Sequence, residues 1–230
     1  MSIGHARSKH DFRKKILDVG CGLGDASVYF AMKKAKVDSI DISPGMIKVT
    51  KKLAKIHKVS DRVRARCILA EELDYPANTF DFVFGNGALH HIDLKKSIPN
   101  IYKVLKPGGK AVFVEPLAYN PVINVYRKVA MSVRTETERP LGIKDIRFIG
   151  KHFRKWHFKA FHLFTLLIMV WFLVGERVSP RKERYWKKII KDGHKYKKSF
   201  TLLNNFDRVI LRLLPYLKRY CWNIVIVLEK

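Results

Sequence analysis

Three polar segments of this sequence hold the residue types that could bind a ligand or transfer a proton. They are the glycine-rich run DVGCGLG, Asp18 to Gly24, the carboxylate Asp41, and the pair His90-His91. Glycine lets the backbone approach a ligand closely and adopt φ angles that other residues avoid. A carboxylate can accept hydrogen bonds from ribose hydroxyls, and an imidazole can exchange a proton near neutral pH. The pattern predicts a binding site for a nucleoside-like ligand, with a histidine nearby that could accept a proton.

The glycine-rich run needs a strand before it and a helix after it. Lys15 to Val19 is a short apolar run that stops at the glycines, as a buried strand does. Asp25 to Lys34 has apolar residues at helical spacing, and the free N–H groups at the start of that helix would face the ligand. Asp41 falls near the end of a second strand, Lys36 to Ile42.

The alternation of strands and helices continues, which predicts a doubly wound parallel sheet. The further predicted elements are a helix from Ser43-Pro44 to about Lys58, strands Val63 to Leu69 and Phe80 to Gly85, a helix Leu94 to Leu105 ended by Lys106-Pro107-Gly108-Gly109, and a strand Lys110 to Glu115.

Beyond Pro116 the predicted strands and helices alternate less regularly. The predicted elements are a helix near Ile143 to Phe153, a strand His157 to Phe164, an amphipathic segment Leu202 to Leu217 with Phe206, Val209, Ile210, Leu213 and Leu214 on one face, and a central terminal strand Cys221 to Leu228. Residues 176–198, with ten Lys/Arg and three acids, are expected to be solvated or to face an anion.

The runs ILDVGCGLG, SIDISPGMI, NTFDFVFGNGALHHI and VLKPGG resemble successive motifs of class I S-adenosylmethionine-dependent methyltransferases. More narrowly, they are similar to the small-molecule branch that includes the menaquinone and ubiquinone C-methylases. The resemblance covers Lys15 to Pro116. It implies S-adenosylmethionine as cofactor and a Rossmann-like, mostly parallel seven-stranded sheet with an antiparallel terminal strand. We expect one domain over residues 1–230, with a cofactor half (1–116) and a divergent substrate half (117–230) that carries a helical insertion at about 165–219.

The resemblance also implies roles for the loop residues. Asp18 would orient the loop or contact the methionine amino group, and Gly20 and Gly22 would line the methionyl-ribose portion. The implied cofactor-binding residues of this loop are Asp18, Gly20, Cys21, Gly22 and Gly24.

Asp41 would bind the ribose, and Ile42 would pack beside the adenine. Where the family usually has an Asp-Ala pair at the adenine edge, this sequence has Leu69-Ala70 followed by Glu71. Ala70 would offer its backbone N–H to the adenine, and Glu71 would stand in for the missing carboxylate.

Methyl transfer needs a nucleophile placed in line with the methyl group, and a base only if that nucleophile must lose a proton. His90 and His91 are the candidate bases at the substrate mouth. Glu115 is a candidate base or substrate anchor, or a carboxylate that binds loop amides. Asn86 would lie near the methionine carboxylate or the substrate.

The net charge and one apolar stretch are the features that indicate what kind of methyl acceptor the chain would take. The net charge is +26, of which +19 belongs to residues 103–230. The apolar stretch Phe161 to Gly175 is shorter than the roughly 18 residues that span a bilayer. It could be a core helix, a lid, or an interfacial segment that reaches acidic head groups with the basic run behind it. We expect a small lipophilic acceptor and peripheral contact with an anionic membrane.

Two alternatives remain open. The positive charge would also suit RNA. Against this alternative, the strand Phe80 to Gly85 ends in GNGALHHI, whereas the nucleic-acid amino methylases of this fold use a loop of the Asn-Pro-Pro-Tyr type. A non-catalytic binding protein that keeps the fold is the other, because only 14 residues precede the first strand and the Asp of the adenine edge is replaced by Leu69.

Three scattered cysteines without a CxxC pair indicate a reducing, cytoplasmic location, and residues 1–15 lack the pattern of a secretory signal. No metal is expected, because the side chains of adjacent His90 and His91 should diverge.

Overall fold

The computed structural model describes residues 14–129, 139–179 and 185–230, so the expectation about a signal segment lies largely outside it. Its strands are β1 Lys15–Val19, β2 Lys36–Asp41, β3 Val63–Cys67, β4 Phe80–Asn86, β5 Leu105–Pro116, β6 Lys155–Phe161 and β7 Asn223–Glu229. They form one sheet in the order β3-β2-β1-β4-β5-β7-β6. The pairs among β1 to β5 are parallel, and β7 is antiparallel to both β5 and β6. This confirms the predicted sheet with its antiparallel terminal strand.

The helices are α1 Asp25–Met32, α2 Pro44–Ile56, α3 Leu94–Val104, α4 Pro121–Val129, α5 Ile143–Lys151, α6 Leu167–Val174 and α7 Tyr185–Leu213. Two apolar clusters cover opposite faces of the sheet. One joins Ile16 and Val37 to Val28 of α1 and Ala54 of α2. The other joins β-strand residues such as Leu17 to Ile98 of α3 and Ile149 of α5. Helices therefore cover both faces of the central strands, which leaves the strand ends open to a ligand.

Helix α2 begins as its sequence predicts. The hydroxyl of Ser43 accepts a hydrogen bond from the backbone N–H of Met46 at 3.3 Å, and Pro44 occupies the first helical position. The start of α2 fixes where the chain leaves β2, and this places Asp41 at the edge of the sheet.

Strands β5 and β6 differ from their predicted bounds. Lys106-Pro107-Gly108-Gly109 lies inside β5, because Gly108 N donates to the carbonyl of Lys230 at 3.0 Å and Lys230 N donates to Gly109 O at 3.0 Å. Strand β6 ends at Phe161 because His162 has φ +64° and the next three backbone N–H groups donate to the buried carboxylate of Asp207.

The second half contains more helix than its sequence predicts. Helix α4 forms within a stretch expected to be irregular, and Asn120 caps it by accepting from Ile123 N at 2.9 Å. Helix α7 begins at Tyr185, well before Leu202, because Lys188 pairs with Glu176 and Asp192 while Ile189 packs inward. No helix among the described residues is long and apolar enough to cross a membrane.

Candidate functional site

The glycine loop lies where β1 ends and α1 begins, at the carboxyl edge of the parallel strands. Gly20 has φ +66°, and a Cβ there would stand 2.8 Å from the Cβ of Ala88. Gly22 has φ +53°, but a Cβ there would meet no atom within 4 Å. Gly24 packs against Thr50 of α2. The loop is thus tight against the protein at Gly20 and open toward solvent at Gly22, as a backbone cradle for a ligand must be.

Hydrogen bonds hold this loop in place. Cys21 N donates to Ile40 O at 2.9 Å, and the hydroxyl of Thr50 donates to Gly22 O at 3.1 Å. Burial raises the pKa of the Cys21 thiol to about 12, so the thiol stays protonated and serves as packing beneath the loop.

Asp41 faces the glycine loop. Its Oδ2 accepts from Gly22 N at 2.9 Å, and its Oδ1 accepts from Ser43 N at 2.9 Å. An ionised carboxylate has about four acceptor positions, so two hydrogen bonds leave capacity for hydroxyl donors. Asp41 therefore both shapes the loop and keeps acceptor capacity at its mouth.

Asp18 lies beneath the loop. It is 1% exposed and accepts a hydrogen bond from the hydroxyl of Ser27, which in turn accepts from the hydroxyl of Ser39 at 2.7 Å. Burial raises the pKa of this carboxyl to about 6, against the opposing effect of the Ser27 bond. This arrangement joins β1, β2 and the first turn of α1, so Asp18 orients the loop from below.

The three residues that are predicted to lie near the adenine differ in their exposure and hydrogen bonding. Ile42 is 69% exposed next to Asp41, whereas Ala70 is buried. Glu71 Oε1 accepts from Asp93 N at 2.7 Å, the residue that caps α3. The second oxygen, Oε2, is buried and has no hydrogen-bond partner among the described residues. One oxygen of the Glu71 carboxylate is thus bonded to the start of α3, and the other accepts no hydrogen bond from the described residues.

Glu115 organises the loop after β4. It is fully buried at the end of β5, and its Oε1 accepts from Ala88 N at 2.9 Å and from Leu89 N at 2.8 Å. Its Oε2 lies 2.8 Å from His90 Nδ1. Because a carboxylate in contact with Nδ1 favours the tautomer with a proton there, Nε2 becomes the acceptor nitrogen of His90.

The two histidines do not diverge as predicted. Both belong to the 3-10 turn Leu89–His91, and their ring centroids lie 4.0 Å apart at an interplanar angle of 39°. His90 is buried and His91 is exposed. Within the part of the chain that the structure describes, no group of three or more His, Cys, Asp or Glu side chains could hold a metal ion.

Asn86 is the last residue of β4, and its side chain is exposed at the same edge. The structure therefore brings the loop glycines, Asp41, Asn86 and the histidine turn to one edge of the sheet. It separates Asp18 and Glu115 from that surface, because both are buried supports.

Sequence reasoning missed Ser27, Ser39 and Thr50, which hold the loop and Asp18. Thr50 had a detectable signal: it falls between Ile47 and Ala54 on the buried face of α2, where a polar residue needs a partner. Ser27 and Ser39 gave no signal of this kind, because their contact crosses between elements.

Residues 17–113 match the family described as a methyltransferase domain. Demethylmenaquinone methyltransferase of Symbiobacterium thermophilum is 36% identical over 104 residues, which cover 44% of this chain and 41% of that protein. Phosphoethanolamine N-methyltransferase 3 of Arabidopsis thaliana is 30% identical over 149 residues, 61% of this chain and 28% of that protein. The chain spans less than half the length of these two curated relatives.

Two solved structures have the same fold over most of this chain. The YcgJ protein of Bacillus subtilis has a TM-score of 0.57 at 19% identity and covers 94% of this chain and 91% of its own. Geranyl diphosphate C-methyltransferase of Streptomyces coelicolor has a TM-score of 0.58 at 14% identity, and the match covers 94% of this chain and 69% of that protein.

Proposed function

We propose that this chain transfers a methyl group from S-adenosylmethionine to a small, lipophilic acceptor, because residues 17–113 match the methyltransferase domain family. The observation that carries the proposal is the 2.9 Å contact between Asp41 Oδ2 and Gly22 N. It places a carboxylate with acceptor capacity at the mouth of a glycine loop, which is the combination that a ribose requires.

The residues at this edge fit an adenosyl cofactor. The space next to Gly22 is open, so the main chain can approach the ligand there, and the exposed Ile42 offers an apolar surface to the adenine. Asp41 would hold the ribose hydroxyls, Ala70 would offer its backbone N–H, and Asn86 would lie near the methionine carboxylate. When bound, the cofactor supplies a methyl group on a sulfonium, which is electrophilic enough to need no further activation by the protein.

The chain's own contribution is positioning and proton transfer. Glu115 acts as a positioning residue, because its two oxygens fix the backbone of residues 88 and 89 and the ring of His90. His90 would accept a proton at Nε2 where the acceptor must lose one. His91 lies on the solvent side of the same turn and is the second candidate.

A small acceptor is in keeping with the relatives, whose names refer to demethylmenaquinone and phosphoethanolamine. The lipophilic character rests on α6, where every residue is apolar and Leu167, Trp171 and Val174 are exposed along one face. We assign cofactor binding to residues 1–116 and the acceptor side to residues 117–230, working as one domain.

Peripheral contact with an anionic membrane is part of this proposal. One face of α7 carries Lys191, Lys195 and Lys198, and the same face continues with Leu202, Phe206, Val209 and Leu213. All seven side chains are exposed. Exposed apolar residues next to lysines suit an interface where acyl chains and acidic head groups meet.

Calorimetric titration with S-adenosylmethionine and S-adenosylhomocysteine tests whether the chain binds the cofactor that the proposed activity requires. We expect saturable binding of both, and about 10-fold or greater weakening in Asp41→Asn, because a hydrogen bond to a charged group contributes roughly 1.5–3 kcal/mol. Asp61→Asn is the control, since Asp61 is exposed and contacts Arg62 on the surface. Absence of heat at millimolar ligand would favour the non-catalytic alternative, and equal affinities of the two variants would remove Asp41 from the site.

A further inference from the structure

An apolar cavity lies between α6, α7 and the ends of β6 and β7. Its volume is about 450 Å³, within the range of roughly 300–1,000 Å³ of small-molecule sites. The lining includes Leu166, Ile168, Met169, Ile189, Phe200 and Trp222. The cavity is a half-open pocket, and the exposed residues Lys197 and Phe200 of α7 lie at its rim.

The missing side chain of Gly193 helps to keep this space open. Gly193 lines the cavity in the middle of the 29-residue helix α7, and a Cβ there would meet no atom within 4 Å. Glycine inside a helix is unfavourable compared with alanine, so its presence here needs another reason. Space for a ligand is such a reason.

The polar groups around the cavity are engaged with the protein. The hydroxyl of Thr165 donates to Asp207, the hydroxyl of Tyr196 donates to Glu176, and Asn223 contacts His162 Nδ1 at 3.2 Å. Burial lowers the pKa of His162, which favours the uncharged ring. Lys197 is exposed, and none of the described lining residues is acidic. The interior therefore suits hydrocarbon.

One end of the cavity lies at the same edge of the sheet as the glycine loop, because its lining residue Asn223 begins β7 there. Asn223 pairs with Pro116 at the end of β5 and with Phe161 at the end of β6. Strand β7 is the second neighbour of β4, so at about 4.8 Å per strand it lies about 10 Å from the end of β4. A ligand whose head lies above β4 can extend its tail to this point.

We propose that this cavity binds the aliphatic hydrocarbon tail of the methyl acceptor. The role of the tail rests on the proposed function, because only a methyltransferase has an acceptor head to place above β4. Binding of the tail itself depends on the cavity alone. The same chemistry is found in isoprenoid and in straight-chain lipids.

Equilibrium dialysis of the full chain with tritiated farnesol and tritiated dodecanol tests the proposal. We expect saturable binding of at least one alcohol, and the tighter of the two identifies the tail as isoprenoid or straight-chain. Gly193→Leu, which fills the cavity, should weaken binding at least 10-fold. Asn205→Leu adds the same side chain at an exposed position of α7 and should bind like the wild type.

Gly193→Ala separates occlusion from unfolding. It adds one methyl group into the cavity and favours the helix, so we expect weaker tail binding together with an unchanged or raised Tm. The cavity assignment is wrong if the wild type binds neither alcohol, or if Gly193→Leu binds as tightly as the wild type. Calorimetry with S-adenosylmethionine distinguishes the two failures, because a chain that takes up the tail but not the cofactor refutes the proposed function and leaves the cavity assignment intact.

Discussion

At the scale of single residues, the supports of the site are two buried carboxylates that do not reach its surface. Asp18 holds the first turn of α1 through Ser27, and Glu115 holds the loop of residues 88–90. Both are nearly inaccessible to water. For Asp18, burial disfavours the ionised carboxylate and raises its pKa, and the effect on stability can be measured.

Asp18 makes the stability of the protein depend on pH. Its pKa is about 6 in the folded chain and 3.8 in its ordinary state, so the folded state retains the proton that the unfolded state releases. We expect stability to fall by up to about 3 kcal/mol as pH rises from 4 to above 6, at 1.36 kcal/mol per pKa unit. Urea unfolding of the wild type and of Asp18→Asn checks this. The variant should lack this part of the pH dependence, and parallel curves would contradict the assignment.

His90 and His91 should differ in their effect on turnover. We expect His90→Gln to lower kcat about 100-fold or more for an acceptor that loses a proton, because a positioned base contributes roughly that much. His91→Gln tests the second candidate base in the same assay, and we expect it to lower kcat much less than His90→Gln does. Steady-state kinetics with the pH profile of kcat provides the measurement. A larger loss in His91→Gln would reverse the assignment.

At the scale of elements, the sequence predicts the start of the first half well because β1 and β2 end at recognisable stops. Strand β1 has its predicted bounds, and α2 has its predicted cap. Glycines after β1 and Ser43-Pro44 after β2 are local signals that no distant contact overrides. The position of Asp41 follows directly from these two stops.

The second half was harder to predict because distant contacts decide its elements. Asp207 ends β6 from 44 positions away by accepting from Leu163 N. The face of α7 that carries Phe206, Val209 and Leu213 is apolar, yet it is exposed, while Leu211 and the carboxylate of Asp207 lie inward. No local pattern could indicate that a carboxylate belongs inside. The cavity is equally invisible in the sequence, because its walls come from separate elements.

Exposed tryptophans on α6 and β6 allow the membrane contact to be tested. Trp171 is 58% exposed beside the lysine-bearing helix α7, and Trp156 is 37% exposed on β6. We expect the wild type to float with phosphatidylglycerol vesicles at low salt and less so at high salt, because head-group attraction is screened. Trp171→Ser should float several-fold less, and Trp156→Ser should behave like the wild type.

A protein that stays in the soluble fraction at low salt would contradict the membrane contact. If the same protein then retained RNA on filters with a steep salt dependence, the nucleic-acid alternative would replace it.

At the scale of the whole molecule, charge and chemistry are divided between the two halves. The excess of +19 in residues 103–230 accompanies the strands and helices that lie beyond β4 in the sheet. The proposed cofactor residues lie on the other side, at the ends of β1 to β4 and in the loops after them. The reaction would therefore take place at the boundary, above β4 and β5, where the two sets of loops meet.

The position of β7 between β5 and β6 has a consequence for biosynthesis. Strand β6 has no other partner among the described strands, and β7 is reached only some 60 residues later along the chain. A ribosome therefore releases β6 with both edges unpaired, and it must remain so until β7 emerges. During that interval the aromatic side chains of Trp156 and Phe158 are available to chaperones or to neighbouring nascent chains.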